Sequence, residues 1–168
     1  RPAQRVYGGL VLGQALMAAG RTVAEGRTAH SLHAYFMRPG DDGEPIVYEV
    51  ERTRDGGSFS TRRVVAIQRG RPIFNLSASF QITEAGESHQ LPMPDVPAPE
   101  GLEDQYDVLM RHLDEIPSAY HRRIAPRLPL RFRLTQPEHP VHPGPQPPEA
   151  SLWMKAEGTI GDDLLVHQ

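Results

Sequence analysis

The sequence predicts an α+β chain in which an antiparallel sheet curls around one central helix. Three observations predict it. Residues 10–24 are small and apolar on nearly every helical face. Four segments between residues 28 and 82 have strand composition, and the last alternates strictly. Turns rich in Gly and Asp-Gly separate those segments. A helix with no polar face has to be covered by protein on most sides, and a sheet with one apolar face supplies that cover.

The helix is expected over 10–24, where Leu10, Val11, Leu12, Ala15, Leu16 and Met17 leave Gln14 as the one hydrogen-bonding side chain before Ala19. Gly8-Gly9 precede it, which suits close backbone approach and free amides at a helix start. The first strand spans 28–38. The second, 46–54, places Ile46, Tyr48 and Val50 on one face and Glu49 and Glu51 on the other. The third, 58–68, holds Phe59, Val64, Val65 and Ile67. The fourth, 73–82, opposes Phe74, Leu76, Ala78 and Phe80 to Asn75, Ser77, Ser79 and Gln81. A period of two marks a sheet buried on one face. The turns 41–43, 54–57 and 68–71 lie between successive strands, and their glycines supply the positive φ that hairpins need, so a meander is expected.

Thirteen of the 17 prolines fall between Pro92 and Pro148. That shift in composition marks a segment crossing between two structured units. Within it a helix is expected over 102–113 and a strand over 128–135. A further strand at 151–157 and a helix start at 160–168 follow. Both ends of the chain read as cut.

Composition excludes several classes. The chain has 168 residues, a net charge of −3 and no cysteine. No basic excess points to nucleic acid. Without cysteine there is no disulfide, thiolate nucleophile or Cys-ligated zinc. No apolar run reaches the ~18 residues a membrane span needs. Phosphate-loop, dinucleotide-fingerprint and serine-elbow motifs are absent.

Several stretches carry a family resemblance. Val6-Tyr7-Gly8-Gly9-Leu10-Val11-Leu12-Gly13-Gln14-Ala15-Leu16 is similar to the helix opening of type II (TesB-like) acyl-CoA thioesterases. His30-Ser31-Leu32-His33-Ala34-Tyr35-Phe36-Met37-Arg38-Pro39-Gly40 resembles that family's first strand, and residues 54–64 its hairpin. Pro72-Ile73-Phe74 with Ala78-Ser79-Phe80-Gln81 fits the next strand. Asp162-Asp163-Leu164 with Val166-His167-Gln168 resembles the entry to a second helix. The resemblance implies the double hot-dog fold. Residues 1–86 would be the first hot-dog unit, 87–127 a Pro-rich crossing segment and 128–168 the start of the second unit.

The same resemblance implies hydrolysis of acyl-CoA to free fatty acid and coenzyme A, with no cofactor and no metal. It also implies pairing of the two units and further homo-oligomerisation. A cytoplasmic location is expected from composition, because the Arg- and Pro-rich chain points to a bacterial source; the family also has peroxisomal members. The family's catalytic Asp, Ser or Thr, and Gln would all lie beyond Gln168, so no catalytic residue is expected in this chain. Other readings are a hot-dog hydratase or dehydratase and a non-catalytic acyl-CoA-binding or scaffold module.

Thioester hydrolysis needs oxyanion donors and a polar cleft lining, which gives five candidate substrate-binding residues. Gly9, with Gly8, would offer backbone amides at the helix start, or simply allow close packing. Gln14 would line the cleft or satisfy a neighbouring group. His30 is the candidate for the polar side of the cleft; His33, an odd number of residues away, is expected on the opposite face. Arg38 and Arg62, beside Arg63, would suit the phosphates of coenzyme A or stand as solvated strand residues. His139 and His142 look like a ligand pair but sit among Pro137, Pro140 and Pro143 with no third ligand nearby in sequence, and are read as loop. Asp162 and Asp163 are read as helix-start carboxylates.

Overall fold

The computed structural model describes residues 5–127 and 129–167. Two compact units are present, Arg1–Ser88 with Gly161–Gln168, and His89–Ile160.

In the first unit, helix α1 (Gly8–Gly20) is followed by strands β1 (Arg27–Phe36), β2 (Val47–Asp55), β3 (Phe59–Gln68) and β4 (Arg71–Ile82). The strands form one antiparallel sheet in the order β1-β4-β3-β2. Val11, Ala15, Leu16 and Ala19 of α1 pack on Val64, Ala66, Phe74, Leu76, Ala78 and Phe80 of the sheet, and all are buried. The alternation of β4 carries through: its apolar set faces the helix. On β3 the inward positions are Ser60, Arg62, Val64, Ala66 and Gln68, so three polar side chains stand on the helix side.

The sheet order corrects the expected meander. β2, β3 and β4 are joined by hairpins, but β1 pairs with β4, and β2 lies at the far edge. The turn at 41–43 is therefore part of a crossover along one end of the sheet. That path is held by the strand ends it passes. Met37 and Arg38 amides donate to the Ile73 carbonyl. The buried Gln68 side chain accepts from the Asp41 amide (2.9 Å) and donates to the Asp41 and Glu44 carbonyls (2.8 and 3.0 Å). Arg69 ion-pairs with Asp41 and Glu44. The β3–β4 hairpin turns at Arg69 and Gly70, whose φ values of 50° and 70° are the consecutive positive angles of a tight two-residue hairpin.

The expected enclosure of the helix is corrected too. Only one face of α1 is buried; Gln14 is exposed and Leu10 is 52% exposed. The apolar residues on the remaining faces have too few neighbours in this unit to be covered. A short helix α4 (Leu164–His167) contacts α1 and β1, with Leu165 against Gly20, and Asp163 caps its start by accepting from the Leu165 amide (2.9 Å).

In the second unit, α2 (Gln105–Arg111) and α3 (Ser118–Ile124) precede an antiparallel pair, β5 (Leu130–Leu134) and β6 (Leu152–Ala156). The helix expected over 102–113 contracts to α2, flanked by single 3-10 turns at Pro99–Gly101 and Leu113–Glu115. The Asp104 side chain caps α2 by accepting from the Tyr106 amide (3.0 Å). It is nearly buried and is approached by Arg131 (3.1 Å) and Arg127 (3.5 Å). The Arg131 Nε lies 3.1 Å from both Asp104 and Glu157, yet points squarely at neither. It is therefore an ion-pair contact rather than a directed hydrogen bond.

Candidate functional site at the start of the central helix

The N-terminal end of α1 opens on a hollow of about 360 Å³. Tyr7 is extended, and no side chain caps the helix. The amides of Leu10 and Val11 turn back to the Tyr7 carbonyl (3.1 and 3.4 Å), so those of Gly8 and Gly9 are the outward donors. The hollow has an apolar floor of Val11, Ile73 and Phe74, and a rim that includes Gly8, Phe36 and Arg38. Gly8 is needed for closeness: a Cβ there would sit 3.1 Å from two atoms of the Phe36 ring, which itself packs on Phe74. The crossover closes the rim through the Val6 amide, which donates to the Gly40 carbonyl (3.0 Å). An apolar recess with a few convergent donors at the positive end of a helix suits a polarised carbonyl or an anion.

The candidate residues separate on this map. Gly8 and Arg38 line the hollow. Arg38 is exposed and donates one Nη to the Pro72 carbonyl (2.7 Å); its remaining N–H groups have no partner among the described residues. Gly9 lies one residue beyond the rim, under the exposed Tyr7 ring, and any side chain at 9 would displace that ring.

Gln14 lies farther along the helix and accepts from the Tyr48 hydroxyl (2.7 Å) on edge strand β2. Burial pushes the Tyr48 phenol up from its ordinary pKa, so it stays protonated as the donor. The pairing of Tyr48 with Gln14 is not among the sequence expectations. The signal was present: the inward face of β2 puts Tyr48 toward the helix, where the lone polar Gln14 needs a partner.

His30 lies elsewhere. A bulge between Ala29 and Ser31 interrupts β1, so the pairing parity changes at His30. The expected opposition of His30 and His33 is thereby corrected. His30 Nε2 meets the Ser79 Oγ (2.8 Å) on the sheet face opposite α1, and the His33 ring contacts Tyr35 on a strand stretch paired with Ser77. Six strand residues, about 20 Å, separate His30 from the hollow end at Phe36.

Arg62 is the clearest correction. Its side chain is 1% exposed, and all five N–H groups are used. Nε donates to Thr22 Oγ1 (2.8 Å). One Nη donates to the Arg54 and Thr61 carbonyls (3.0 and 2.9 Å). The other donates to the Thr22 carbonyl (3.0 Å) and to Asp55 Oδ1 (2.6 Å). No donor remains for a phosphate. Arg62 instead ties the chain leaving α1 to the β2–β3 hairpin, a cation placed where the helix C-terminus is negative.

A second hollow, about 680 Å³, lies in the other unit among apolar residues such as Leu109, Ile124, Leu130 and Phe132, with Asp104 and His139 at its wall. Among the described residues no helix is long and apolar enough to cross a membrane.

Residues 1–81 match the model of the acyl-CoA thioesterase N-terminal domain. Human acyl-coenzyme A thioesterase 8 is 41% identical over 99% of this chain and 54% of its own length. The crystal structure of acyl-CoA thioesterase II TesB2 from Mycobacterium marinum superposes with a TM-score of 0.71 at 38% identity, over 97% of this chain and 56% of that one. A hot-dog-fold protein from Alicyclobacillus acidocaldarius superposes at 0.57 with 23% identity, over 76% of this chain and 44% of that one, a likeness of fold. The chain thus spans about half the length of the relatives it matches. The helix-backed antiparallel sheet is a hot-dog fold, and the chain belongs to the type II, TesB-like acyl-CoA thioesterase family.

Proposed function

We propose that this chain forms the first half of an enzyme that hydrolyses acyl-CoA thioesters. Water adds to the acyl carbonyl, the C–S bond breaks, and the products are free fatty acid and the coenzyme A thiol. Family membership along nearly the whole chain carries this reading. The hollow at α1 gives it a place: the Gly8 and Gly9 amides face outward where a thioester oxygen would develop charge, and Arg38 keeps donors free for the phosphates of coenzyme A. In this reading the catalytic Asp, the Ser or Thr, and the Gln that position the water lie beyond Gln168. Residues 128–168 open the second hot-dog unit. The same reading puts the protein in the cytoplasm, with the paired units assembling into a homo-oligomer.

Free-thiol release from acyl-CoA tests it. The full-length gene product should release thiol with time, and the 168-residue chain should not. A full-length protein that binds acyl-CoA without hydrolysis would leave the non-catalytic module as the function. Hydrolysis by the 168-residue chain at the full-length rate would show that the catalytic groups are misplaced.

A further inference from the structure

We propose that His112, Glu115, His139 and His142 form a binding site for a divalent ion of the zinc class in the second unit. The sequence separates these residues into two pairs, each spaced three apart, one at the end of α2 and one in the Pro-rich loop between β5 and β6. The fold brings the pairs together and so overturns the reading of His139 and His142 as an unaccompanied loop pair.

Glu115 is the centre. Its Oε1 lies 2.7 Å from His112 Nδ1, and its Oε2 lies 3.3 Å from His142 Nε2 and 3.9 Å from His139 Nε2. The donor atoms of His112, Glu115 and His139 are all within 4.8 Å of one another. A tetrahedral zinc ion with bonds of about 2.0–2.1 Å needs donor atoms about 3.3 Å apart. The three contacts to Glu115 bracket that spacing, and these partly exposed side chains need small adjustments to meet it. The rings are already gathered, with His112 and His139 centroids 4.3 Å apart and His139 and His142 stacked at 5.3 Å.

Donor chemistry selects the ion. Three imidazoles and one carboxylate suit zinc, nickel or copper(II), whereas calcium and magnesium favour all-oxygen shells. The backbone supports the geometry on both sides. His112 and Glu115 are held one turn apart by the Glu115 amide donating to the His112 carbonyl (3.1 Å). Pro137, Pro140 and Pro143 fix φ around the other pair. In the metal-free arrangement His139 Nδ1 accepts from the Val141 and His142 amides (3.3 and 3.1 Å), so its proton sits on Nε2. Capture by Nε2 shifts that proton to Nδ1, so the ring stays neutral and two long amide contacts are exchanged for a metal bond. An ion bound here staples the Pro-rich loop to the end of α2. The inference stands on this cluster alone and is independent of the thioesterase reading.

The test is titration of the metal-stripped 168-residue chain with zinc chloride, followed by calorimetry and by imidazole NMR of its eight histidines. One ion per chain should bind, with shifts in the ring signals of His112, His139 and His142 and none in His30 or His33. Glu115→Gln and His139→Ala should each weaken binding at least about tenfold, and His33→Ala should not. His112→Asn serves if His139→Ala disturbs the loop. Absence of zinc binding would overturn the proposal, as would binding that survives Glu115→Gln and His112→Asn unchanged. Ring shifts confined to other histidines would overturn it as well.

Discussion

Replacing Arg62 by alanine tests whether the buried guanidinium is the clamp described above. The substitution strips donors from four neutral acceptors: Thr22 Oγ1 and the carbonyls of Thr22, Arg54 and Thr61. At about 1 kcal/mol for each buried acceptor left unpaired, the loss is about 4 kcal/mol. That agrees with the ~3–5 kcal/mol typical when one partner of a buried charged network is removed. The exposed Asp55 contact is left out of the sum. Lysine, with three donors, can satisfy at most three of the five contacts, so Arg62→Lys should recover part of the loss. Trp153 belongs to the second unit, so its fluorescence does not follow this region. Hydrogen exchange in peptides from β3 and β4 does. A loss of about 4 kcal/mol lowers protection there by about 10³-fold if opening is global. Protection falling less than tenfold would refute the clamp. A drop in coenzyme A affinity with protection intact would return Arg62 to the ligand site.

Three further outcomes are expected. Gln68→Ala leaves the Asp41 amide and the Asp41 and Glu44 carbonyls without their partner. It should destabilise the crossover by about 2–3 kcal/mol, read as faster exchange at residues 38–45. Hydrogen bonds from Ser60 and then Arg62 hold the Asp55 carboxyl below the ordinary carboxylate range. Its stabilising contribution is therefore present above the unfolded-state pKa of about 3.9 and fades as pH falls through the lower folded value. Asp55→Asn should flatten that acid limb in circular-dichroism unfolding curves. Arg38→Ala, at an exposed rim, should change stability by less than about 0.5 kcal/mol. It should weaken coenzyme A binding, and dephospho-coenzyme A binding less; equal affinity of Arg38→Ala and the unsubstituted protein for coenzyme A would remove Arg38 from the site.

Local pattern carried the sequence reading a long way. Strand positions were legible because Phe74, Leu76, Ala78 and Phe80 must share a face, and a period of two has one solution. The family was legible because the motifs around Gly8-Gly9, Arg38 and residues 54–64 follow one another at the right spacing. Even the hairpin at Arg69-Gly70 could be read from its glycine. The catalytic set was never legible as residues of this chain, since the resemblance places it outside.

What only the tertiary structure decided are matters of pairing at a distance. Strand order depends on which edges meet, and the crossover past Gln68 is invisible to a turn signal at 41–43. Alternation cannot show that Arg62 faces inward, because a buried cation is tolerated only where Thr22, Arg54, Thr61 and Asp55 converge on it from 40, eight, one and seven residues away. The bulge at His30 reversed a parity that strand spacing had assumed. His112 and Glu115 became neighbours of His139 and His142 only when the chain folded back. A hydrogen bond or ligand set between segments far apart in sequence leaves no mark on either segment alone. The sequence by itself determined the elements and the family, and the folded chain decided which polar groups meet.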